Sequence, residues 1–313
     1  MNVFICGGSG YLGGVIANAL CKKNNVIVGT RFPKNIKNYN KKIKIIKINY
    51  LSKKSLQKAL KNIDVIFHLV GMNKQSSIDN PKKSLELKKK VTLNIAEAAR
   101  KNNCSKLIYL SSIQVYKNFF FKKIISENSK IFPSNSYSKA HLNAEKILYL
   151  NKKNLNNIII IRSSSIFGTN IINKSKELLF TLVNNFCYQA VKNKKIIVKD
   201  RNIVRNFVPS SILIKFINII LKKKFLKNYQ IYNLGYKSFS LEEICNLIIE
   251  RYNKLFNTHC ELILRNKKNN ENNIIVFTSL LKNFKFSKKI FFNELDNLLK
   301  IFKKAYVKKK PYY

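Results

Sequence analysis

The chain has few of the residues that build stapled, metal-bound or membrane-spanning proteins. Its six cysteines, Cys6, Cys21, Cys104, Cys187, Cys245 and Cys260, include no C-x-x-C pair. They suit a reducing compartment better than a disulfide scaffold. The three histidines, His68, His141 and His259, lie far apart in sequence, so a metal centre has little support. The longest apolar stretch, near Ile212, is broken by Lys215 and Asn218 and is too short to cross a bilayer. A first strand at residues 1–6 leaves no room for a signal peptide, and a cytoplasmic location with no membrane span is expected. Acidic residues are scarce as well: 15 Asp and Glu stand against 60 Lys and Arg, a formal net charge of +45. Such an excess ordinarily points to a polyanionic partner. Here the lysines run from Lys22 to Lys310, interleaved with Asn and Ile in a chain poor in Ala and Gly. That is general compositional bias, so no specific nucleic acid is expected, although a nucleotide-bearing substrate would be attracted.

Against these absences, the first thirty residues are rich in signal. MNVFIC reads as a strand, GGSGYLGG as a glycine turn, VIANALCKK as a helix and NVIVGT as a second strand ending at Arg31. Gly7, Gly10 and Gly13 are spaced G-x-x-G-x-x-G, which suits a tight turn, close approach of backbone to a pyrophosphate, and close helix–strand packing. A helix starting inside such a turn aims unpaired amides at phosphate. The βα rhythm continues through strand 42–48, helix 55–63, strand 64–71, a long helix from Pro81 and strand 106–112. Strands apolar on both faces belong inside a helix-covered parallel sheet. Residues 113–134 break the rhythm as a surface excursion, with the aromatic run YKNFFFKK read as local packing. Helix SYSKAHLNAEKILYL and a single strand over 157–170 follow.

The expected fold is therefore α/β, a Rossmann-type doubly wound parallel sheet over residues 1–170. A smaller substrate-binding lobe, partly interleaved with the core, is expected over 171–313. In the lobe the sequence predicts a helix at 177–191, a strand at 194–199, and a polar turn carrying Arg201 and Arg205 into a short strand. A helix over 212–221, a strand at 231–235 and a helix opening with the capping box SLEE come next, and the tail VKKKPYY reads as solvated.

The strongest chemical constellation is Ser112, Tyr137 and His141. Tyr137 and His141 are four apart and share a helix face, while Lys139 points away. A tyrosine beside a cofactor can exchange a proton with a substrate oxygen if a neighbour lowers its pKa from about 10. The competing reading makes Tyr137 a packing residue, Ser112 a strand end and His141 a satisfied polar group.

Taken together, ICGGSGYLGG, DVIFHLVG, LIYLSSIQVY, YSKAHLNAE, IIRSSSIFG, RNFVP and IYNLG, in this order, resemble the NAD-dependent epimerase/dehydratase family of extended short-chain dehydrogenase/reductases. The resemblance implies a nucleotide-sugar oxidoreductase or epimerase in which hydride moves at a ring carbon and Tyr137 is the acid/base. It implies that Ser112 orients the sugar oxygen and that Arg205 pairs with the substrate diphosphate. Gly7, Gly10, Tyr11, Leu12, Gly13, Arg31, Asn49, Leu69, Tyr137 and His141 are implied as cofactor-binding, and a homodimer is implied through the long helices. Five departures stand out. Asn49 replaces the family's usual acidic residue after the third strand. His141 replaces the lysine of Y-x-x-x-K. Lys88 replaces an asparagine of the long helix, Asn206 the acid of R-D-F, and Ser165 another asparagine. His141 leaves three outcomes: a slower enzyme, a histidine kept protonated by its surroundings, or a catalytically inactive NAD(P)-binding structural or regulatory protein. No acid adjoins Ser112, which makes a dehydratase the least favoured reaction beside an epimerase or a 4-keto-sugar reductase. At the end of the second strand GTRFPK offers Arg31 and Lys34 and no carboxylate, which tilts the cofactor towards NADP with NAD still open.

Overall fold

The computed structural model describes residues 1–36, 40–116, 123–169, 179, 181–224, 227–265, 275–277 and 286–307. Most of the run YKNFFFKK and the tail after Val307 lie outside the described residues. In chain order come β1 (Asn2–Cys6), α1 (Tyr11–Leu20), β2 (Asn25–Thr30), β3 (Ile43–Lys47), α2 (Lys53–Ala59), β4 (Val65–His68) and α3 (Lys74–Asp79). Then follow α4 (Pro81–Lys101), β5 (Lys106–Ser112), β6 (Lys123–Ile125), α5 (Ser136–Leu150), β7 (Ile158–Ser163) and β8 (Ser165–Phe167). The remainder is α6 (Leu182–Asn193), β9 (Lys195–Val198), β10 (Val204–Pro209), α7 (Ser210–Lys222), β11 (Tyr229–Leu234), β12 (Lys237–Ser240) and α8 (Leu241–Phe256). It closes with β13 (Glu261–Leu264), β14 (Ile275–Phe277) and α9 (Lys288–Val307).

The chain divides into two compact units, the first made of Met1–Asn118, Ser129–Ser163 and Lys222–Tyr232. It carries a seven-stranded sheet in the order β11-β7-β5-β4-β1-β2-β3. The pairs β1/β2, β1/β4, β2/β3, β4/β5 and β5/β7 are all parallel. This is the expected Rossmann-type core. Strand order reverses between β1 and β4, so the loops leaving these two strands flank the switch point at which open α/β sheets take ligands. The strands earn their central place by composition: VIFH in β4 and IIIIRS in β7 are buried along their whole length. On one face Phe4, Ile66, Leu107 and Ile158 pack under Val91, Ile95 and Ala99 of α4, Ala144 and Leu148 of α5, and Leu56 of α2.

The second unit is made of Phe119–Asn128, Ser164–Leu221 and Asn233–Tyr313. It holds the small sheets β12-β10-β8, β13-β9 and β14-β6. The expected single strand over 157–170 is in fact two. The chain leaves β7 at Ser163, and Ser164 donates its hydroxyl to Asn206 O at 2.8 Å, after which β8 pairs with β10 instead of extending the large sheet. Helix α6 covers Leu182–Asn193, and residues 177, 178 and 180 of the helix expected over 177–191 lie outside the described residues. The SLEE capping box is present: Glu243 N–H donates to Ser240 Oγ at 3.0 Å and Ser240 N–H to Glu243 Oε2 at 2.6 Å. Strands β6, β12, β13 and β14 and helices α3 and α9 have no counterpart in the sequence reading. Among the described residues no helix is long and apolar enough to cross a membrane.

Candidate active site

The glycine loop sits at the switch point as expected. Gly7 has φ +81°, a conformation that L side chains rarely adopt, and a methyl there would meet Leu69 C and Val70 N at 3.1 Å. A methyl on Gly13 would lie 2.5 Å from Gly7 O, so the start of α1 can press against the loop only because residue 13 lacks a side chain. Gly10 is the N-cap of α1 and offers no side-chain cap, which leaves this helix end suited to an anion. Tyr11 is buried and Leu12 half-buried beside it. Leu69, leaving β4, donates its N–H to Cys6 O at 3.0 Å, which joins the two loops. Tyr50, unremarked in the sequence, holds the loop from behind. Its hydroxyl accepts from Gly7 N–H at 2.8 Å and donates to Gly29 O at 2.7 Å.

At the end of β2, Arg31 and Phe32 are exposed, with the guanidinium carbon 5.5 Å from the Phe32 ring centroid. Asn49 is exposed and its side chain is used locally, accepting from Leu51 N–H at 3.0 Å.

The tyrosine helix is placed by its own first turn and by one buried ion pair. Asn135 caps α5 by accepting from Ser138 N–H at 2.9 Å, while Ser138 Oγ accepts from Asn135 N–H at 3.1 Å. Two turns on from Tyr137, Glu145 takes Arg162 Nη2 at 2.6 Å and Ser111 Oγ at 2.5 Å, and Arg162 Nη1 donates to Tyr116 at 2.9 Å. This network fixes α5 against β5 and β7. It brings Ser112 close to Tyr137: burial pushes the Tyr137 phenol up, and the neighbouring Ser112 hydroxyl offsets part of that. Tyr137 and His141 meet edge to face with centroids 4.5 Å apart, so the shared helix face is real. Lys139 is exposed, as expected.

His141 is buried and its Nδ1 lies 2.7 Å from Tyr109 Oη. Burial, then the charge of Lys88 and then His68 hold His141 well below the usual histidine range. The imidazole is therefore neutral, and its surroundings oppose the protonated state that the sequence left open. Burial keeps Tyr109 protonated, and its hydroxyl and His141 Nδ1 share one hydrogen bond, which leaves Nε2 as the other ring nitrogen of a neutral imidazole. His68 is likewise buried and neutral, with Nε2 2.9 Å from Thr92 Oγ1. Lys88 and Tyr50 are the residues that sequence reasoning passed over as site components. For Lys88 a signal exists: it falls on the stripe Ser84, Lys88, Val91, Thr92, Ile95, Ala99 that α4 buries, where helical periodicity calls for an uncharged side chain.

In the second unit Arg205 is half-buried on β10, and its Nη1 donates to Val204 O at 3.3 Å. Burial lowers its pKa, and no carboxylate pairs with it among the described residues. Its neighbour Asn206 is structural, accepting from Tyr236 N–H at 2.8 Å and donating to Ser238 Oγ at 3.1 Å. Among the described residues no group of three or more His, Cys, Asp or Glu is placed to hold a metal.

Comparison with known proteins gives the same architecture. A UDP-glucose 4-epimerase from Thermotoga maritima, solved with UDP-glucose, superposes with TM-score 0.82 at 15% identity, covering 98% of this chain and 100% of that one. A UDP-glucuronic acid 4-epimerase from Bacillus cereus, solved with UDP-glucuronic acid and NAD, gives TM-score 0.80 at 19% identity over 98% of this chain and 100% of that one. These structures share the fold. A Methanocaldococcus jannaschii protein with a provisional UDP-glucose 4-epimerase name is 25% identical over 215 residues, 66% of this chain and 68% of its own. The model of the NAD dependent epimerase/dehydratase family matches residues 3–235, and the chain belongs to that family.

Proposed function

We propose that this protein is an active NAD(P)-dependent oxidoreductase or epimerase of a nucleotide-activated sugar, with Tyr137 as its acid/base. The observation that carries this reading is the Ser112 hydroxyl beside the Tyr137 phenol at the ligand-binding edge of the sheet, near a glycine helix end without a side-chain cap. An inactive scaffold has no need for two hydroxyls to converge there.

The residues present fit a dinucleotide. Gly7, Gly10 and Gly13 give its pyrophosphate room, and the first turn of α1 at Tyr11 and Leu12 supplies amides. Leu69 flanks the same loop. Arg31 and Lys34, with no carboxylate at the end of β2, favour a 2′-phosphate and hence NADP, while Asn49 stands close in sequence to the Tyr50 clamp. A nicotinamide held there would supply reversible hydride transfer at a sugar carbon. The chain's own part is the proton: Tyr137 exchanges it with the sugar oxygen as the carbonyl forms and is reduced again. Ser112 donates to the oxygen that carries the charge, and His141 holds a neutral imidazole beside them. Arg205, in the second unit, suits the substrate diphosphate because a guanidinium fork matches phosphate oxygens. The first unit is thus assigned the dinucleotide and the second the nucleotide sugar.

A homodimer through α4 and α5 belongs to the same proposal, since Leu93 on α4 and Leu150 on α5 are exposed. So does a cytoplasmic location, since all six cysteines are free and buried. The relatives named above make UDP-hexoses the first substrates to test. The purified protein is assayed with UDP-, GDP- and dTDP-sugars, with NAD or NADP added, and compared with Tyr137→Phe. Turnover lost by about 10²–10⁴-fold in the variant, with dinucleotide affinity kept, supports the reading. Dinucleotide binding without turnover on any sugar refutes it in favour of a structural protein.

A further inference from the structure

Lys88 is the least expected residue of the first unit. It is 4% exposed, on the face of α4 turned to the sheet. Its Nζ donates to Val70 O at 2.8 Å. That is its one hydrogen bond among the described residues, and no carboxylate pairs with it there. The ammonium also lies 5.4 Å from the Tyr109 ring centroid. Room for it is made by Gly71, where any side chain would collide with Nζ. Gly71 itself is exposed, so the ammonium sits just beneath the surface at the end of β4, next to the backbone that abuts Gly7.

A buried ammonium with two of its three donors unused is costly unless something completes it. Its place, at the switch point and one aromatic ring from His141, says what that is. His141 occupies the position that resembles the family's lysine, but it is neutral and committed to Tyr109. Among the described residues Lys88 is the ammonium that lies against the Tyr109 ring beside His141.

We propose that Lys88, delivered from α4, is the positively charged group of this site, binding the polar groups of the dinucleotide and standing in for the ammonium that residue 141 lacks. This rests on the reading of the site as a dinucleotide site. Lys88 then completes its hydrogen bonds on the ligand, and His141 contributes shape and a neutral ring. The groups that face it are His68 from β4, Tyr109 from β5 and His141 from α5, all uncharged at neutral pH, with Tyr137 one residue beyond. Burial brings Lys88 down from 10.5 to about 7, so its charge titrates in the working range.

The test is dinucleotide affinity, measured without sugar from pH 6 to 9 by NAD(P)H fluorescence. It uses the whole protein as wild type, as Lys88→Met, and as Lys88→Asn combined with His141→Lys. Wild-type affinity is expected to fall above about pH 7, approaching tenfold per pH unit where only the charged form binds. Lys88→Met is expected to bind at least tenfold more weakly at pH 6 and to lose the pH dependence. The double variant, with its lysine back on α5, is expected to recover turnover to within about tenfold of wild type. A purely structural lysine is not rescued from another helix. Wild-type-like affinity and pH profile in a folded Lys88→Met overturn the proposal, as does a double variant as inactive as the single one. No dinucleotide binding by the wild type at any pH overturns the functional reading beneath it, whereas pH-independent wild-type binding overturns only the role of Lys88.

Discussion

Replacing Lys88 by methionine should make the ligand-free protein more stable while it impairs binding. The lysine's proton affinity falls from 10.5 to about 7 on burial, and burial is the cause. At about 1.4 kcal/mol per pH unit, holding the ammonium inside costs about 5 kcal/mol in the fully charged state. Methionine matches the aliphatic stem and removes the charge, but it leaves Val70 O without its donor, a loss of about 1–3 kcal/mol. The expected net gain near pH 7 is about 2–4 kcal/mol. Its pH dependence has a definite sign. Between about 7 and 10.5 the unfolded chain binds a proton that the folded protein does not, so wild-type stability rises with pH across that window. Above it the penalty is gone, and below it the penalty is complete. Urea unfolding followed by far-UV circular dichroism at pH 6.5, 8 and 9.5 checks this, because the difference between the two proteins cancels the other lysines. A gap that narrows by about 1 kcal/mol or more per pH unit is expected. A gap constant with pH, or a variant less stable at pH 7, refutes the account of Lys88 as a strained buried cation.

Other perturbations read the supports of the site. Tyr50→Phe removes the hydroxyl between Gly7 N–H and Gly29 O; a loss of about 1–3 kcal/mol in urea unfolding is expected, together with weaker dinucleotide binding by titration. Glu145→Gln leaves the buried Arg162 guanidinium without its counter-charge, and a destabilisation of about 3–5 kcal/mol is expected; unfolding by denaturant at neutral pH measures it. Ser240→Ala deletes the cap of α8 in the second unit, and a loss of about 1 kcal/mol with unchanged dinucleotide affinity is expected from the same two assays.

The glycine loop, the buried strands and helix α5 were legible because each is specified by neighbours in sequence. Gly7 takes its positive φ inside the turn itself and Gly13 approaches the backbone of Gly7 and Gly8 just before it, IIIIRS carries its own burial, and Asn135 caps the helix three residues from its partner. The pairing of Tyr137 with His141 was legible for the same reason, since a helix fixes the i, i+4 relation. Where partners are distant in sequence, local pattern failed. Ser164 ends β7 because Asn206 waits 42 residues away, and β6 is a strand only because β14 pairs with it. Tyr50 became a clamp when β3 was laid beside β2, bringing its hydroxyl to Gly29 and to the loop after β1. Lys88 read only as a departure from an asparagine of the family's long helix. Sequence alone determined that a lysine is missing at 141. Only the packing of α4 on the sheet, with space left at Gly71, decided that another lysine stands at the same edge.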